Sequence, residues 1–430
     1  MPSNVLEYYH QRQRRTSHIK EKKTMADQIQ LTFWNYNQFA NYKPEMLRDW
    51  VNCGMTTPIT PEFHMSSNQE LHAKFRQMLD DAQELGVKLI LQITDIYLWG
   101  YPGADAYREK VEKVYEAYGK HPAVYGFFVG EEPGADYNEY FEGIKILKEV
   151  APELNFYMNM GSIERTERVT LKGRLSLDEW ATQFTQTSKS NLIGFGNYAS
   201  MITDNTGLYE HFHNLHDFVA AGKKAGADIW ATMLSSAHDF YRVPIEEDYR
   251  WQLNSCIMCG CKAVVWFRLY DKLVAGDYRG SPIDEFGEKT TRYYDLARVQ
   301  KRFNIHYGKV FAKLDHQGSY GIGVSYGGYP YFTVHDKVEL IAAADGRSGM
   351  VSVFTDKEGN DYVALMNTFQ RESCHLSLTF SDKVAKVEEI YYNGAQMDVV
   401  GVRNNPSQPL IHFTSCFAAG QMRLFKLTRA

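Results

Sequence analysis

Residues 125–134 read YGFFVGEEPG: an apolar run that ends in two adjacent carboxylates, Glu131 and Glu132, and is stopped by Pro133. Strand interiors disfavour glutamate, so two acids here predict the end of a buried strand rather than its middle. Carboxyl groups in such a place suit glycosidic chemistry. One of them, protonated, gives its proton to the leaving oxygen, and a second attacks the sugar or activates a water. Successive side chains of a strand face opposite ways, so Glu131 and Glu132 do not both face one scissile bond. The second carboxylate must come from elsewhere in the chain.

Similar side chains recur wherever an apolar run ends. Trp34, Asn35 and Tyr36 follow the first run, Glu62 and His64 the second, and Asp95, Tyr97 and Trp99 the third. Asn159, then Asn197 with Tyr198, then His238 with Asp239, and finally Arg268, Tyr270 and Asp271 follow the later ones. The set holds no Ser-His-Asp order and no phosphate loop. Aromatic faces hold sugar rings, and amide and guanidinium donors hold their hydroxyls. Trp34, Tyr36, Asp95, Trp99, Asn159, Asn197, Tyr198, His238, Trp266, Arg268 and Tyr270 are therefore expected to bind substrate. Glu132, Glu131, Asp239 and Asp271 are expected to supply the chemistry. The 29 tyrosines and 7 tryptophans agree with a carbohydrate partner, although extra core aromatics explain them equally.

These residues need a frame that brings all the run ends to one face. From residue 28 to 314 apolar runs alternate with segments of helical period, giving eight strand–helix units. The expected strands are 28–36, 55–63, 87–95, 123–133, 154–161, 191–200, 228–239 and 262–271. Each is followed by a helical segment, the crossover a parallel pair requires. The charged stretch SIERTERVTLKGR (162–174) reads as a loop. Eight units at this length fit a (β/α)8 barrel, whose reacting groups project from the C-terminal strand ends. No GxGxxG stretch supports a dinucleotide fold. Beyond residue 315 the period switches to short alternating runs separated by KEGN, NGAQ and NNPSQP, the pattern of an antiparallel β-sandwich. The expected organisation is an extension over 1–25, a catalytic α/β barrel over 26–314 and an all-β domain over 315–430.

A strand ending in an acid, Glu and Pro at the fourth position of such a barrel resembles clan A glycoside hydrolases. The string HPAVYGFFVGEEPGADYNEYFEGIKILKEVAPELNFYMNM (121–160) is similar to the corresponding stretch of relatives of the family 42 β-galactosidases. CGCKAVVWF (259–267) in the eighth strand adds to the likeness, as does the sandwich behind the barrel. The resemblance implies that Glu132, directly before the proline, is the acid/base; the neighbouring charge of Glu131 and burial near Phe127 and Phe128 are expected to raise its pKa. It implies that Glu131 stands where the family places an Asn or Asp that binds a substrate hydroxyl. The family's nucleophilic glutamate belongs at the end of the seventh strand, yet WATMLSSAHDF (230–240) has none. Either a loop shifts that strand, or Asp239, Asp271 or Asp95 takes the role, or the enzyme inverts, or the barrel only binds sugar.

Other classes are less well supported. A metal-dependent isomerase or lyase would use Glu62, Glu131, His238 and Asp239 as ligands, but no spacing sets three of them together. CIMCGC (256–261) lacks the second pair of a zinc site, so the cysteines are read as buried structural thiols. No cofactor and no metal is expected. The formal charge of −5 is spread along the chain without a basic stripe, which argues against nucleic acid. No apolar run suits a membrane span, and the polar, basic N-terminus is no secretory signal, so a cytoplasmic protein is expected. The sequence leaves the oligomeric state open and is compatible with a homo-oligomer.

Overall fold

The computed structural model describes residues 28–134, 137–202, 207–272, 277–336, 338–343, 348–399 and 410–430; the expected N-terminal extension lies outside these. Seven strands form one curled parallel sheet: β1 (Gln30–Phe33), β2 (Leu89–Leu91), β3 (Val124–Glu131), β4 (Asn155–Met160), β5 (Leu192–Gly196), β6 (Asp228–Leu234) and β7 (Ala263–Phe267). Their order is β1-β7-β6-β5-β4-β3-β2, so β1 and β2 are the two edges. The third to eighth expected strands are thus β2 to β7.

The second expected strand is corrected: residues 55–63 form no regular strand. Pro58 and Pro61 within them offer no N–H to a ladder. The segment nevertheless closes the barrel by bonding to both edges. The N–H groups of Thr56 and Thr57 donate to the Leu31 carbonyl (2.8 and 3.2 Å). On the other side Thr60 donates to Ile90 (2.9 Å), Ile90 to Pro58 (3.0 Å) and Phe63 to Gln92 (3.0 Å). Trp34, Ile59, Phe128, Tyr157, Trp230 and Val265 fill the interior.

Eight helices cover the outer face: α1 (Pro44–Asn52), α2 (Gln69–Leu85), α3 (Ala104–Val114), α4 (Tyr137–Val150), α5 (Leu177–Ser188), α6 (Leu208–Ala225), α7 (Glu246–Met258) and α8 (Thr291–Phe303). Their ends follow local chemistry. The side chain of Asn68 accepts the Leu71 N–H at the start of α2, and Gly86 ends that helix at φ +71°. Ser176 and Glu179 form a reciprocal capping box at the start of α5. The stretch 162–174, expected as a loop, instead winds into a short helix over Ile163–Thr166 and a wider turn over Glu167–Leu171.

From Asp315 onward the strands are antiparallel. β8 (Asp315–Ile322), β10 (Gly349–Thr355), β11 (Asp361–Asn367), β13 (Val384–Ile390), β14 (Gln396–Asp398) and β16 (Met422–Arg429) form a six-stranded sheet. β9 (Val338–Ala343), β12 (Cys374–Phe380) and β15 (Ile411–Phe417) form a three-stranded one. Val351, Val363, Leu376, Leu378, Phe413 and Phe425 lie in the core these sheets share. Cys53, Cys256, Cys259 and Cys261 are buried free thiols, Cys374 is buried too, and Cys416 is an exposed thiol.

Helix α7 joins the two parts. Trp251 Nε1 donates to the Thr368 carbonyl (2.8 Å), and Asn254 Nδ2 to the Gly420 carbonyl (2.9 Å). Gly420 is required there, because a Cβ would stand 2.7 Å from the Trp251 backbone. Asp248, fully buried, accepts from Arg242 on the loop after β6 and from both terminal nitrogens of Arg371 (2.7 and 3.0 Å). Burial pushes the Asp248 carboxyl up, but the two guanidinium groups overcome this and hold it below the ordinary range. Removing one member of a buried ion cluster leaves the others uncompensated. Asp248→Ala should therefore cost about 3–5 kcal/mol in urea unfolding. Glu149→Ala, which breaks an exposed pair with Arg108, should cost less than about 1 kcal/mol. Equal costs would show that Asp248 is not the tie between barrel and sheets.

Candidate active site

All seven strands run the same way, so their C-terminal ends meet at one mouth. Strict alternation from Phe128, which faces the interior, would turn residues 130 and 132 inward. β3 does not alternate strictly. Its pairing with β4 shifts between Phe128 and Gly130, so that Phe128 faces Tyr157, Gly130 faces Met158 and Glu131 faces Asn159. The extra residue is accommodated at Gly130, whose φ of +142° few side chains tolerate. One inserted residue reverses the facing of all that follow.

The two glutamates separate accordingly. Glu131 is partly buried among phenols carried by different parts of the barrel. Besides burial, its charge raises the pKa of Tyr36 after β1, Tyr97 after β2, Tyr157 on β4 and Tyr198 after β5. Burial, and then the charge of Glu132, push the Glu131 carboxyl from 4.5 to about 7, with Arg165 pulling the other way. Glu132 turns outward, at φ +43°, and takes a hydrogen bond from Arg165 Nε (2.7 Å), with Arg165 Nη2 also on its carboxylate. The raised carboxyl expected at Glu132 is therefore found at Glu131, because the extra residue in β3 exchanges their directions.

Aromatic rings form a continuous lining. Tyr36 stacks on Trp34 at 5.7 Å and meets Phe267 edge-on at 5.9 Å. Tyr198 lies over Phe267 at 5.2 Å. His238 packs against Tyr198, Phe267 and Tyr278. Trp99, exposed at the rim, sits 5.3 Å from Tyr97 and donates its Nε1 to the Glu131 carbonyl (3.2 Å). Arg268 lies between Tyr36 and Tyr278, its guanidinium carbon 4.8 and 4.9 Å from their centroids. The Asn159 Oδ1 accepts from Tyr157 (3.0 Å) and Thr232 (2.9 Å).

The structure thus brings Trp34, Tyr36, Trp99, Asn159, Tyr198, His238 and Arg268 to the mouth beside Glu131. Four other expected residues lie elsewhere or serve as braces. Trp266 points outward, with Nε1 on Gln300 of α8 (3.0 Å), because Ala263 and Val265 hold the inward positions of β7. Tyr270 accepts from Trp50 Nε1 (2.6 Å) in the layer between sheet and helices. Asn197 braces its own loop, donating to the Glu210 carbonyl (3.1 Å) and accepting from the Ala199 N–H (2.7 Å). Asp95 accepts the Met65 N–H (2.8 Å). Of the remaining candidate acids, Asp271 accepts the Ser281 N–H (2.8 Å), and Asp239 is exposed at the rim with φ +49°.

Sequence reasoning missed Arg165, Tyr157, Phe267 and Tyr278 as site residues. The alternation Ala263, Val265, Phe267 was readable, as was Tyr157 two places before Asn159. Nothing local singled out Arg165 or Tyr278. Among the described residues, no three His, Cys, Asp or Glu side chains stand close enough to hold a metal ion. Nor is any described helix long and apolar enough to cross a membrane.

No protein-family model matches the chain, and no curated protein matches its sequence. Solved structures do match in fold. A catalytic mutant of a family 42 β-galactosidase from G. stearothermophilus aligns over 94% of this chain and 98% of its own, with 10% identity and a TM-score of 0.58. A family 5 glycoside hydrolase from Bacteroides vulgatus aligns over 93% and 88%, with 10% identity and a TM-score of 0.56. A family 39 glycoside hydrolase from Bacteroides cellulosilyticus covers 94% and 82%, with 12% identity and a TM-score of 0.50. All three belong to clan A. The chain has the fold of a clan A glycoside hydrolase: a curled parallel barrel with antiparallel sheets behind it.

The Glu131 carboxyl has a consequence for stability. Between pH 4.5 and about 7 the folded chain keeps a proton that the unfolded chain has released. This group's contribution therefore falls as pH rises through that window, by at most ~3 kcal/mol. Glu131→Gln should melt above wild type at about pH 8 and level with it near pH 4. Equal melting temperatures at both pH values would remove the buried charge from the account.

Proposed function

We propose that this protein hydrolyses glycosidic bonds in a short oligosaccharide or glycoside, with Glu131 as the general acid. The observation that carries this reading is the placement of Glu131: a partly buried carboxyl at the C-terminal end of β3, encircled by aromatic side chains, in a glycoside hydrolase barrel. A carboxyl that is half protonated at about pH 7 is suited to give a proton to a leaving oxygen. Aromatic faces such as Tyr198 and the exposed Trp99 offer platforms for the ring, and Asn159 a polar contact for its hydroxyls. The charge of Glu132, which Arg165 engages, adds to burial in raising the Glu131 carboxyl.

β6 ends at Leu234 and is followed by Ser235 and Ser236, with no carboxylate to attack the anomeric carbon. The side chain there that can take up a proton is His238. Burial first holds its pKa below the ordinary value, so the imidazole is neutral near pH 7, while the Asp239 charge favours the imidazolium that forms. In this reading Glu131 protonates the glycosidic oxygen, the C–O bond breaks, and water attacks the anomeric carbon as His238 takes its proton. The product has inverted configuration.

The same absence on β6 favours a second reading, a barrel that binds carbohydrate without cleaving it. Assays on a panel of aryl glycosides and oligosaccharides, with NMR of the first-formed anomer, separate the two. On an active substrate Glu131→Gln should lose at least about 100-fold in kcat, and the wild-type rate should fall above about pH 7. Glu132→Gln should lose much less. Wild-type turnover in Glu131→Gln would remove the acid assignment, and a retained anomer would remove the role of His238. Sugar binding by calorimetry without any released product would establish the second reading.

A further inference from the structure

Arg268 is 4% exposed, yet no carboxylate among the described residues pairs with it. Its Nε donates to the Tyr270 carbonyl (2.8 Å), and its guanidinium carbon lies 4.8 and 4.9 Å from the ring centroids of Tyr36 and Tyr278. Its terminal nitrogens make no hydrogen bond to a described side chain or carbonyl. Other buried or half-buried arginines of this protein, such as Arg242, Arg292 and Arg423, all hold carboxylates. Taking a cation out of water is costly unless an anion or a full set of acceptors replaces the lost hydration. The nearby acid Asp271 uses Oδ1 on the Ser281 N–H.

Glu131 does not fill this place. The charges that act on Glu131 are those of Glu132 and Arg165, whereas those acting on Arg268 come from Tyr36, Tyr278 and Asp271. Among the described residues no hydrogen bond or ion pair joins Glu131 to Arg268, although Tyr36 feels the charge of both. Tyr36 itself is flanked by the Arg268 guanidinium and by the stacked ring of Trp34.

Resting on the hydrolase reading for the site as a whole, we propose that Arg268 receives an anionic group on the sugar, the carboxylate of a hexuronic acid. The guanidinium is flanked by Tyr36 and Tyr278, and its terminal N–H groups, which no described acceptor takes, match the two oxygens of a carboxylate. A neutral hexose offers only a hydroxymethyl group at that place and leaves the buried cation without an anion. A sulfate ester shares the charge but not the planar pair of oxygens.

The test is binding, measured by calorimetry on the full chain with methyl glucuronide and methyl galacturonide against methyl glucoside and methyl galactoside, and with glucose 6-sulfate as the tetrahedral anion. The expected result is that a uronide binds at least about tenfold tighter than its neutral partner and tighter than the sulfate ester. That ratio should collapse in Arg268→Gln and survive in part in Arg268→Lys, with folding checked by thermal melting. Neutral sugars binding as tightly as uronides, the sulfate ester binding best, or no uronide binding at millimolar concentration would each overturn the assignment. So would an undiminished ratio in Arg268→Gln. Wild-type selectivity decides the matter even if a variant misfolds. Uronide binding without turnover would leave Arg268 assigned and remove the hydrolase. Turnover of neutral glycosides without uronide preference would do the reverse.

Discussion

A parallel sheet of seven strands has two open edges, and here the hydrogen bonds of residues 55–63 to β1 and β2 join them. Everything at the mouth depends on that closure. Asn35 donates to the Ile59 carbonyl (3.1 Å), and Ile59 packs in the same interior as Trp34, the ring on which Tyr36 stacks. Two prolines prevent a regular strand, yet the carbonyl of Pro58 still accepts from Ile90. The segment thus serves both edges without needing a complete ladder on either. Its irregular path also sets the geometry after β1, where Glu62 N–H meets the Asn37 carbonyl (2.9 Å) and Phe39 N–H meets the Glu62 carbonyl (2.9 Å).

Closure creates an enclosed, aromatic space, and such a space changes the chemistry of any charge inside it. Burial is the largest cause of the raised Glu131 carboxyl and of the lowered His238 imidazole. The two shifts complement each other: the carboxyl becomes able to hold a proton and the imidazole becomes ready to accept one. Arg165 limits the first effect. It reaches Glu132 from the short helix after β4, and its positive charge partly offsets the repulsion that Glu132 exerts on Glu131.

Much of this was legible in the sequence and some was not, for physical reasons that differ by residue. Period-two runs alternating with helical segments show the parallel barrel, and the rule that reacting groups gather at strand ends leads to Tyr36, Tyr198, His238 and Arg268. The directions of Glu131 and Glu132 were not legible, because an extra residue in a strand leaves the composition of the run unchanged while reversing its facing. Trp266 was misplaced for a simpler reason: the alternation of β7 already assigned the inward side to Val265 and Phe267. Asn197 has the composition of a sugar-binding residue and spends both ends of its amide on the loop before α6. Arg165 was hidden in a charged stretch whose helical turns appear only once Ser162 caps the Arg165 N–H.

The absence of a carboxylate just after β6 and the presence just after β7 of a cation that no described carboxylate pairs with belong together. Ser235 and Ser236 directly follow β6. The Ser235 N–H donates to the Phe267 carbonyl (2.7 Å) and its hydroxyl to the Arg268 carbonyl (2.9 Å), while Ser236 shares a hydrogen bond with Ser281 (2.8 Å). These contacts fix the backbone from which Arg268 projects. A glutamate at either serine would stand on the strand next to Arg268, and the low dielectric of the mouth would drive the two charges together. The guanidinium would then be neutralised by the protein itself, and no anion would be needed from outside. Small hydroxyl side chains after β6 place no charge beside the guanidinium. They also move any proton acceptor for water two residues onward, to His238.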